Sequence, residues 1–233
     1  LQLLRDNKNL IGIMFSLHTN DPQKLNQFMG REDAWQTLAR GIELCHDAGI
    51  AVMFNSCLLK PDFYDGTFEK IMDQAAAFNG ALLQLIKPKP AGGWLESGAD
   101  HFDEADQQLV REKVAAYNLG KEKKEYPFIS CMLQEEGPDL FGCTAGGTDR
   151  FYLNAKGDVQ PCEFLIVSFG NVQEESFETI FARMREHFPT PGTDWLCCTQ
   201  AESIANAIRE HGLERTPVPW AVTRDLVETW TRG

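Results

Sequence analysis

Three short apolar runs, separated by stretches of helical periodicity, constrain this chain more than any other feature. Ile11 to Leu17 (IGIMFSL), Ile50 to Leu58 (IAVMFNSCL) and Ala81 to Ile86 (ALLQLI) are almost uninterrupted. A strand covered on one face alternates apolar and polar residues, whereas one covered on both faces reads as a continuous run, so these are parallel strands. Between the first two, Trp35, Leu38, Ile42 and Cys45 recur at helical spacing, with Gly49 placed as a cap. Between the next two, Phe68, Ile71, Met72, Ala75 and Phe78 repeat the pattern ahead of Gly80. Phe102, Leu109, Val110, Val114 and Tyr117 predict another helix, and PFISCML from Pro127 a fourth strand. The order is βαβαβα, so the expected fold class is α/β. A complete eightfold barrel takes about 250 residues. Three or four strands therefore belong to an open sheet or an incomplete barrel.

The pattern changes near Glu122. The run KEKKE reads as a solvated helix end or hinge, and Leu133 to Asp149 (LQEEGPDLFGCTAGGTD) is rich in turn formers. The expected division is residues 1–133 and 134–233. In the second part, Phe151 to Asn154, the Lys156 and Gly157 turn, and Val159 to Phe164 have the layout of a β-hairpin. Phe177, Ile180, Phe181, Met184 and Phe188 mark a core-facing helix, and weaker helical patterns follow around Ile204 to Ile208 and Thr223 to Trp230.

Composition narrows the function classes. A formal charge of −12 argues against a general nucleic-acid binder. No apolar stretch approaches the roughly 18 to 20 residues of a membrane helix, and LQLLRDNKNL lacks the layout of a signal peptide. A cytoplasmic location is expected, with no membrane and no nucleic-acid partner. Seven cysteines in such a chain point to metal or catalytic use before disulfides.

The chemistry concentrates in CTAGGTDRFYLNAKGDVQPC, Cys143 to Cys162. Thirteen residues separate Cys143 from Gly157 and four separate Gly157 from Cys162. A hairpin turn at Gly157 folds its strands back on each other, so the two thiolates can meet one metal centre. Cys197 and Cys198 in DWLCC are the obvious further donors. Thiolates favour zinc and iron-sulfur clusters over hard cations, and spacing alone does not separate the two. One reading is thus a non-catalytic binding module stabilised by zinc on these cysteines.

Cys143, Gly157 and Cys162, followed by FGNVQEESFETIF from Phe169 to Phe181, resemble the auxiliary iron-sulfur region of SPASM or twitch type in radical S-adenosylmethionine enzymes. IGIMFSLHTND, HDAGIAVMFNSC and LLQLIKPKPAGG resemble the second half of that family's partial (β/α)6 barrel. The resemblance spans about Leu10 to Cys198. It implies an α/β chain: the C-terminal half of a radical SAM barrel, then a small α+β SPASM/twitch module with a β-hairpin. It implies an auxiliary 4Fe-4S cluster, and in the full-length protein a core 4Fe-4S cluster that cleaves S-adenosylmethionine to a 5'-deoxyadenosyl radical. That radical would abstract hydrogen from a peptide or small-molecule substrate, with an electron donor such as flavodoxin or ferredoxin. The core motif CxxxCxxC is absent, since no cysteine precedes Cys45. The expectation is that the N-terminal part carrying it is missing from this sequence, and that this piece alone is inactive.

The implied cluster ligands are Cys143, Cys162 and one or both of Cys197 and Cys198. Adjacent cysteine side chains tend to diverge, so one of that pair is a spare or a substrate-facing thiol. The fourth iron then stays open for substrate or takes Cys131. Cys45, Cys57 and Cys131 read as core. In such a barrel chemistry sits at the carboxyl ends of the strands, where Ser16 and Asn55 match positions that would hold the ribose or amino-acid part of S-adenosylmethionine. Gln84 ends the third strand. His18 reads as the cap of a turn, Lys87 and Lys89 as solvated loop charges. Gly146 and Gly147 are expected to let backbone amides approach the cluster sulfurs.

Overall fold

The computed structural model describes residues 2–7, 9–91, 102–120, 123–135, 142–192, 195–214 and 216–230. Packing divides the chain into two units, with the boundary between Gln134 and Glu135. Lys89 to Ala91 pack with the second. Gly92, Gly93 and the 136–141 part of the turn-rich segment lie outside the described residues, as do Lys121 and Glu122.

The first unit opens with α1 (Gln2–Arg5), β1 (Ile13–Ser16), α2 (Pro22–Met29), α3 (Ala34–Asp47) and β2 (Val52–Cys57). A 3-10 turn (Lys60–Phe63), α4 (Thr67–Ala77), β3 (Leu82–Ile86), α5 (Glu104–Leu119), β4 (Phe128–Cys131) and the short α6 (Met132–Glu135) follow. The four strands form one parallel sheet in the order β1-β2-β3-β4. Helix α2 carries signals the periodicity reading passed over. Asp21 accepts from the backbone N–H groups of Gln23 and Lys24, Pro22 starts the helix, and Gly30 closes it at φ +64°. Gly80 is not the left-handed cap of α4. Asn79 takes that conformation at φ +48°, and Gly80 is required because a Cβ there would sit 2.6 Å from the ring of Phe54.

Register gives the sheet two unlike faces, because in-register neighbours point the same way. Phe54, Leu83, Leu85 and Ile129 lie on one face and are at most 3% exposed. Ile71, Met72 and Ala75 of α4 and Ile42 and Cys45 of α3 are equally buried in this core. The rings of Phe63, Phe68, Phe102 and Tyr117 extend it. The other face is only half-buried, and it positions one of the sites below.

A carboxylate locks the edge of this unit. Asp106, almost fully buried, is the third residue of α5 and takes the N–H of Asp103 at 2.9 Å while Asp103 caps the Asp106 amide. Its oxygens also meet the Tyr64 hydroxyl and the Lys60 ammonium, each at 2.5 Å. The lysine first, then the tyrosine, hold its carboxyl well below the usual carboxylate range. A carboxylate with a depressed folded-state pKa stabilises the fold above its unfolded value of about 3.9 and loses that contribution as pH falls below it. Asp106→Asn is expected to flatten the acid limb of a melting-temperature profile recorded from about pH 6 to pH 2. An unchanged acid limb would show that other carboxylates govern acid unfolding.

The second unit contains β5 (Tyr152–Leu153), β6 (Val159–Gln160), α7 (Phe177–His187), α8 (Leu196–Thr199), α9 (Ala201–Glu210) and α10 (Trp220–Val227). The hairpin is shorter than its sequence pattern suggests. Pro161 has no N–H to continue the ladder, and Cys162 turns back to bridge Leu165. Gly157, at φ +90°, forms the turn, and a Cβ there would lie 2.7 Å from the Asn171 side chain. The Asn171 amide donates to the Lys156 carbonyl and to Asp158, while Val172 and Val159 pair with Gly157 and Gly170. The GN of FGNV thus closes the hairpin as a third rung. Val159, Leu165, Val167, Phe169, Ile180, Met184 and Val218 are fully buried beneath it. Among the described residues no helix is long and apolar enough to cross a membrane.

Candidate metal centre and strand-end site

Three of the four candidate cysteines of the second unit line one recess. Cys143 enters it from an antiparallel bridge with Gly192, its N–H 2.7 Å from the Gly192 carbonyl. Cys162 comes from the far side of the hairpin turn, and Cys197 from the first turn of α8. Thr144, Ala145, Arg150, Phe164, Trp195 and Lys89 complete the wall. The recess is narrow, with a cavity volume of about 30 Å³. Cys198 lies outside the lining and is hydrogen-bonded to Cys197 through its side chain. Of the DWLCC pair, Cys197 faces the recess.

The thiols are costly to ionise there. Burial pushes Cys162 up to about 11, against the pull of the Phe164 and Leu165 amides on its sulfur. The bond with Cys198 raises Cys197 most, followed by burial, while Lys89 lowers it. Buried thiols of this kind stay protonated at neutral pH unless a cation binds them, and metal loading then releases their protons. Among the described residues no three His, Cys, Asp or Glu side chains close on a single ion-sized point. The ligands of one zinc ion all lie about 2.3 Å from it. Those of a four-iron cluster each bind a different iron and stand further apart. The donor set, three sulfurs around one partly apolar recess, fits such a cluster.

Two expectations about this region change. The amides of Gly146 and Gly147 are engaged by the Pro161 and Arg150 carbonyls, at 2.9 Å each, and do not serve the sulfurs. These glycines are needed because both have positive φ and lie under Phe188, Phe181 and Arg185. The amides that reach a sulfur belong to Phe164 and Leu165, where the chain wraps back after Cys162. Lys89 is also not a solvated loop charge: it is 7% exposed, with its Nζ 3.4 Å from the centroid of the Trp195 ring. Lys89 and Trp195 are far apart in sequence, and no local pattern links them.

The first unit presents a second arrangement. Ser16 pairs in register with Asn55, Asn55 with Gln84, and Gln84 with Ser130. One polar row therefore crosses all four strands on the half-buried face, flanked by Met14, Met53, Leu82 and Phe128. Asn55 Oδ1 is buried and has no hydrogen-bond partner among the described residues. The missed member, Ser130, had a signal: each apolar run carries a polar residue at matching register (IMFS, VMFN, LLQ, FIS). Cys45 and Cys131 are core residues at 3% exposure each, Cys131 in the first unit. Cys57 is not: it follows Asn55 on the half-buried face.

His18 also departs from its expected role. Thr19 and Asp21 form the turn, whereas the Nδ1 of His18 accepts the Cys57 N–H at 3.0 Å and ties the ends of β1 and β2 together. Burial lowers its pKa, so the ring stays neutral with its proton on Nε2. It borders a cavity of about 600 Å³ that also touches Asn20, Lys24, Phe28, Asp62 and Lys70.

Parts of the chain are similar to known proteins. Residues 143–199 match SPASM, described as an iron-sulfur cluster-binding domain. The chain is 26% identical over 189 residues to the AdoMet-dependent heme synthase of Nitratidesulfovibrio vulgaris, covering 74% of this chain and 51% of that protein. It is 25% identical over 183 residues to the AdoMet-dependent heme synthase of Oleidesulfovibrio alaskensis, covering 70% and 46%. The chain thus spans about half the length of these curated relatives. Residues 143–199, which hold Cys143, Cys162 and Cys197, thus match a SPASM iron-sulfur cluster-binding domain, and over about 70–74% of its length the chain is similar to AdoMet-dependent relatives.

Proposed function

We propose that this chain is the part of a radical S-adenosylmethionine enzyme that closes its catalytic sheet and carries one auxiliary 4Fe-4S cluster. Its substrate is a small molecule of the haem-forming kind that its relatives' names indicate. The observation that carries the reading is the convergence of Cys143, Cys162 and Cys197 on one recess within the residues that match the SPASM domain. Cys143, Cys162 and Cys197 hold the cluster, and Cys198 backs Cys197. The four parallel strands are the second half of a partial barrel. The bound groups supply the deoxyadenosyl radical and a path for electrons, the latter fed by a donor of flavodoxin or ferredoxin type.

The residues of the polar row do the binding work. Ser16 and Asn55 face S-adenosylmethionine, and the buried Asn55 oxygen takes a hydrogen bond from a hydroxyl or ammonium of that ligand. Leaving such an atom unpaired costs about 1–3 kcal/mol, which binding recovers. In the longer protein, Asn55→Ala is expected to weaken S-adenosylmethionine about tenfold, since one hydrogen bond is worth about 1 kcal/mol or slightly more. Thr37→Ala on the exposed side of α3 serves as the unaffected control. Equal affinity in both would remove Asn55 from the binding site. The cluster itself is tested by anaerobic reconstitution with iron and sulfide. Four iron and four sulfide per chain with charge-transfer absorption are expected. One zinc per chain and no acid-labile sulfide would replace the proposal with a zinc-stabilised module.

A further inference from the structure

We propose that Lys89 is a charge-compensating residue of the cysteine recess, whose buried ammonium, seated on Trp195, makes the bound cluster easier to reduce. This rests on the cluster reading above and goes beyond it by naming what sets the cluster's potential. Lys89 is 7% exposed, and its Nζ stands 3.4 Å from the centroid of the Trp195 ring. The indole face attracts the cation and also shields it from water. Trp195 lies two residues before Cys197, so the slot and a proposed ligand are built by the same turn. Both Lys89 and Trp195 line the recess with Cys143, Cys162 and Cys197.

The other cation of the wall is differently placed. Arg150 is shared with Asp149 at 3.1 Å, and its side chain is 33% exposed. A charge in contact with water is screened, whereas a charge largely removed from water acts through a lower dielectric. Lys89 is the less exposed of these two lining cations, and its charge lowers the pKa of Cys197. An added electron makes a thiolate-bound cluster more negative, and a nearby fixed positive charge lowers the cost of adding it. Net charge and hydrogen bonds to the sulfurs are among the levers that set such potentials. The Phe164 and Leu165 amides supply the second lever at Cys162.

The test compares the chain with Lys89→Met, which keeps length and apolar stem, and Lys89→Arg, which keeps the charge. Each is reconstituted anaerobically with iron and sulfide, assayed for both, and reduced by one electron with dithionite in a mediator titration followed by electron paramagnetic resonance. Lys89→Met is expected to be at least tenfold harder to reduce, a shift of about 59 mV to more negative potential for one electron. Lys89→Arg is expected to stay within about threefold of the parent, by the same conversion. An unchanged potential in Lys89→Met at full iron and sulfide content overturns the role of Lys89 and leaves the cluster reading intact. A parent chain that retains no sulfide overturns both. If Lys89→Met fails to assemble the cluster, retention in Lys89→Arg supports the charge requirement, and loss in both variants shows that the side chain only packs.

Discussion

Cys162→Ala is expected to strip the chain of its iron and sulfide. Cys162 is the candidate ligand most tightly bound into the fold. It is 7% exposed, it follows the proline that ends the hairpin, and its sulfur takes the amides of Phe164 and Leu165. Alanine removes a candidate ligand and also leaves the N–H groups of Leu165, which is buried, and Phe164, which is half-buried, without their acceptor, at about 1–3 kcal/mol for the buried one. The apo fold should therefore lose stability as well. Cys162→Ser separates the two effects, because a hydroxyl oxygen still accepts from the amides but binds iron poorly. Serine should restore most of the melting temperature and little of the iron. Cys45→Ala, buried in the other unit, should leave iron and sulfide content unchanged. The pH dependence has a definite sign: the Cys162 thiol, held up near about 11 by burial, must release its proton on loading, so assembly becomes more favourable as pH rises. Full iron retention in Cys162→Ala would remove this residue from the ligand set.

Phe169→Ala is expected to cost the second unit about 3–5 kcal/mol, the range for deleting a buried aromatic ring. Phe169 has no exposed surface, and its ring meets His187, Phe188 and Trp220 at centroid distances of 5.7, 5.5 and 5.3 Å. Its N–H donates to the Val159 carbonyl at 2.8 Å, and its carbonyl accepts from Arg183. One residue thus joins the hairpin, the end of α7 and the start of α10. Arg183 is itself held by a two-pronged pair with Glu175, at 2.8 and 2.6 Å, so the backbone around Gly170 is clamped from both sides. Denaturant unfolding followed by fluorescence and circular dichroism checks the value. Phe169→Leu should recover part of the loss. A cost below about 1 kcal/mol would mean that the neighbouring rings refill the space.

Much of the first unit was legible because its signals are local or periodic. Continuous apolar runs and helical spacing place β1, β2, β3 and β4 with α3, α4 and α5, and only the ends move by a few residues. Helix α2 was equally legible through Asp21, Pro22 and Gly30, but its short apolar stripe hid it from a periodicity reading. The roles of single residues were harder to read. His18 looks like a turn residue in sequence, yet it bonds to an amide 39 positions away. Asn55 and Ser130 become members of one row only once strand register is set, because a slip of one residue would send each to the opposite face.

Sequence alone determined the α/β order, the hairpin with its glycine turn and the sulfur-rich chemistry of the second half, since hydrophobic period, backbone freedom and donor softness are properties of residues and short segments. Tertiary structure decided which thiols share a recess, that Cys197 rather than Cys198 faces it, and that Lys89 is buried against Trp195. Those outcomes depend on where distant segments meet and on how much water their meeting excludes, and both arise only when the whole unit packs.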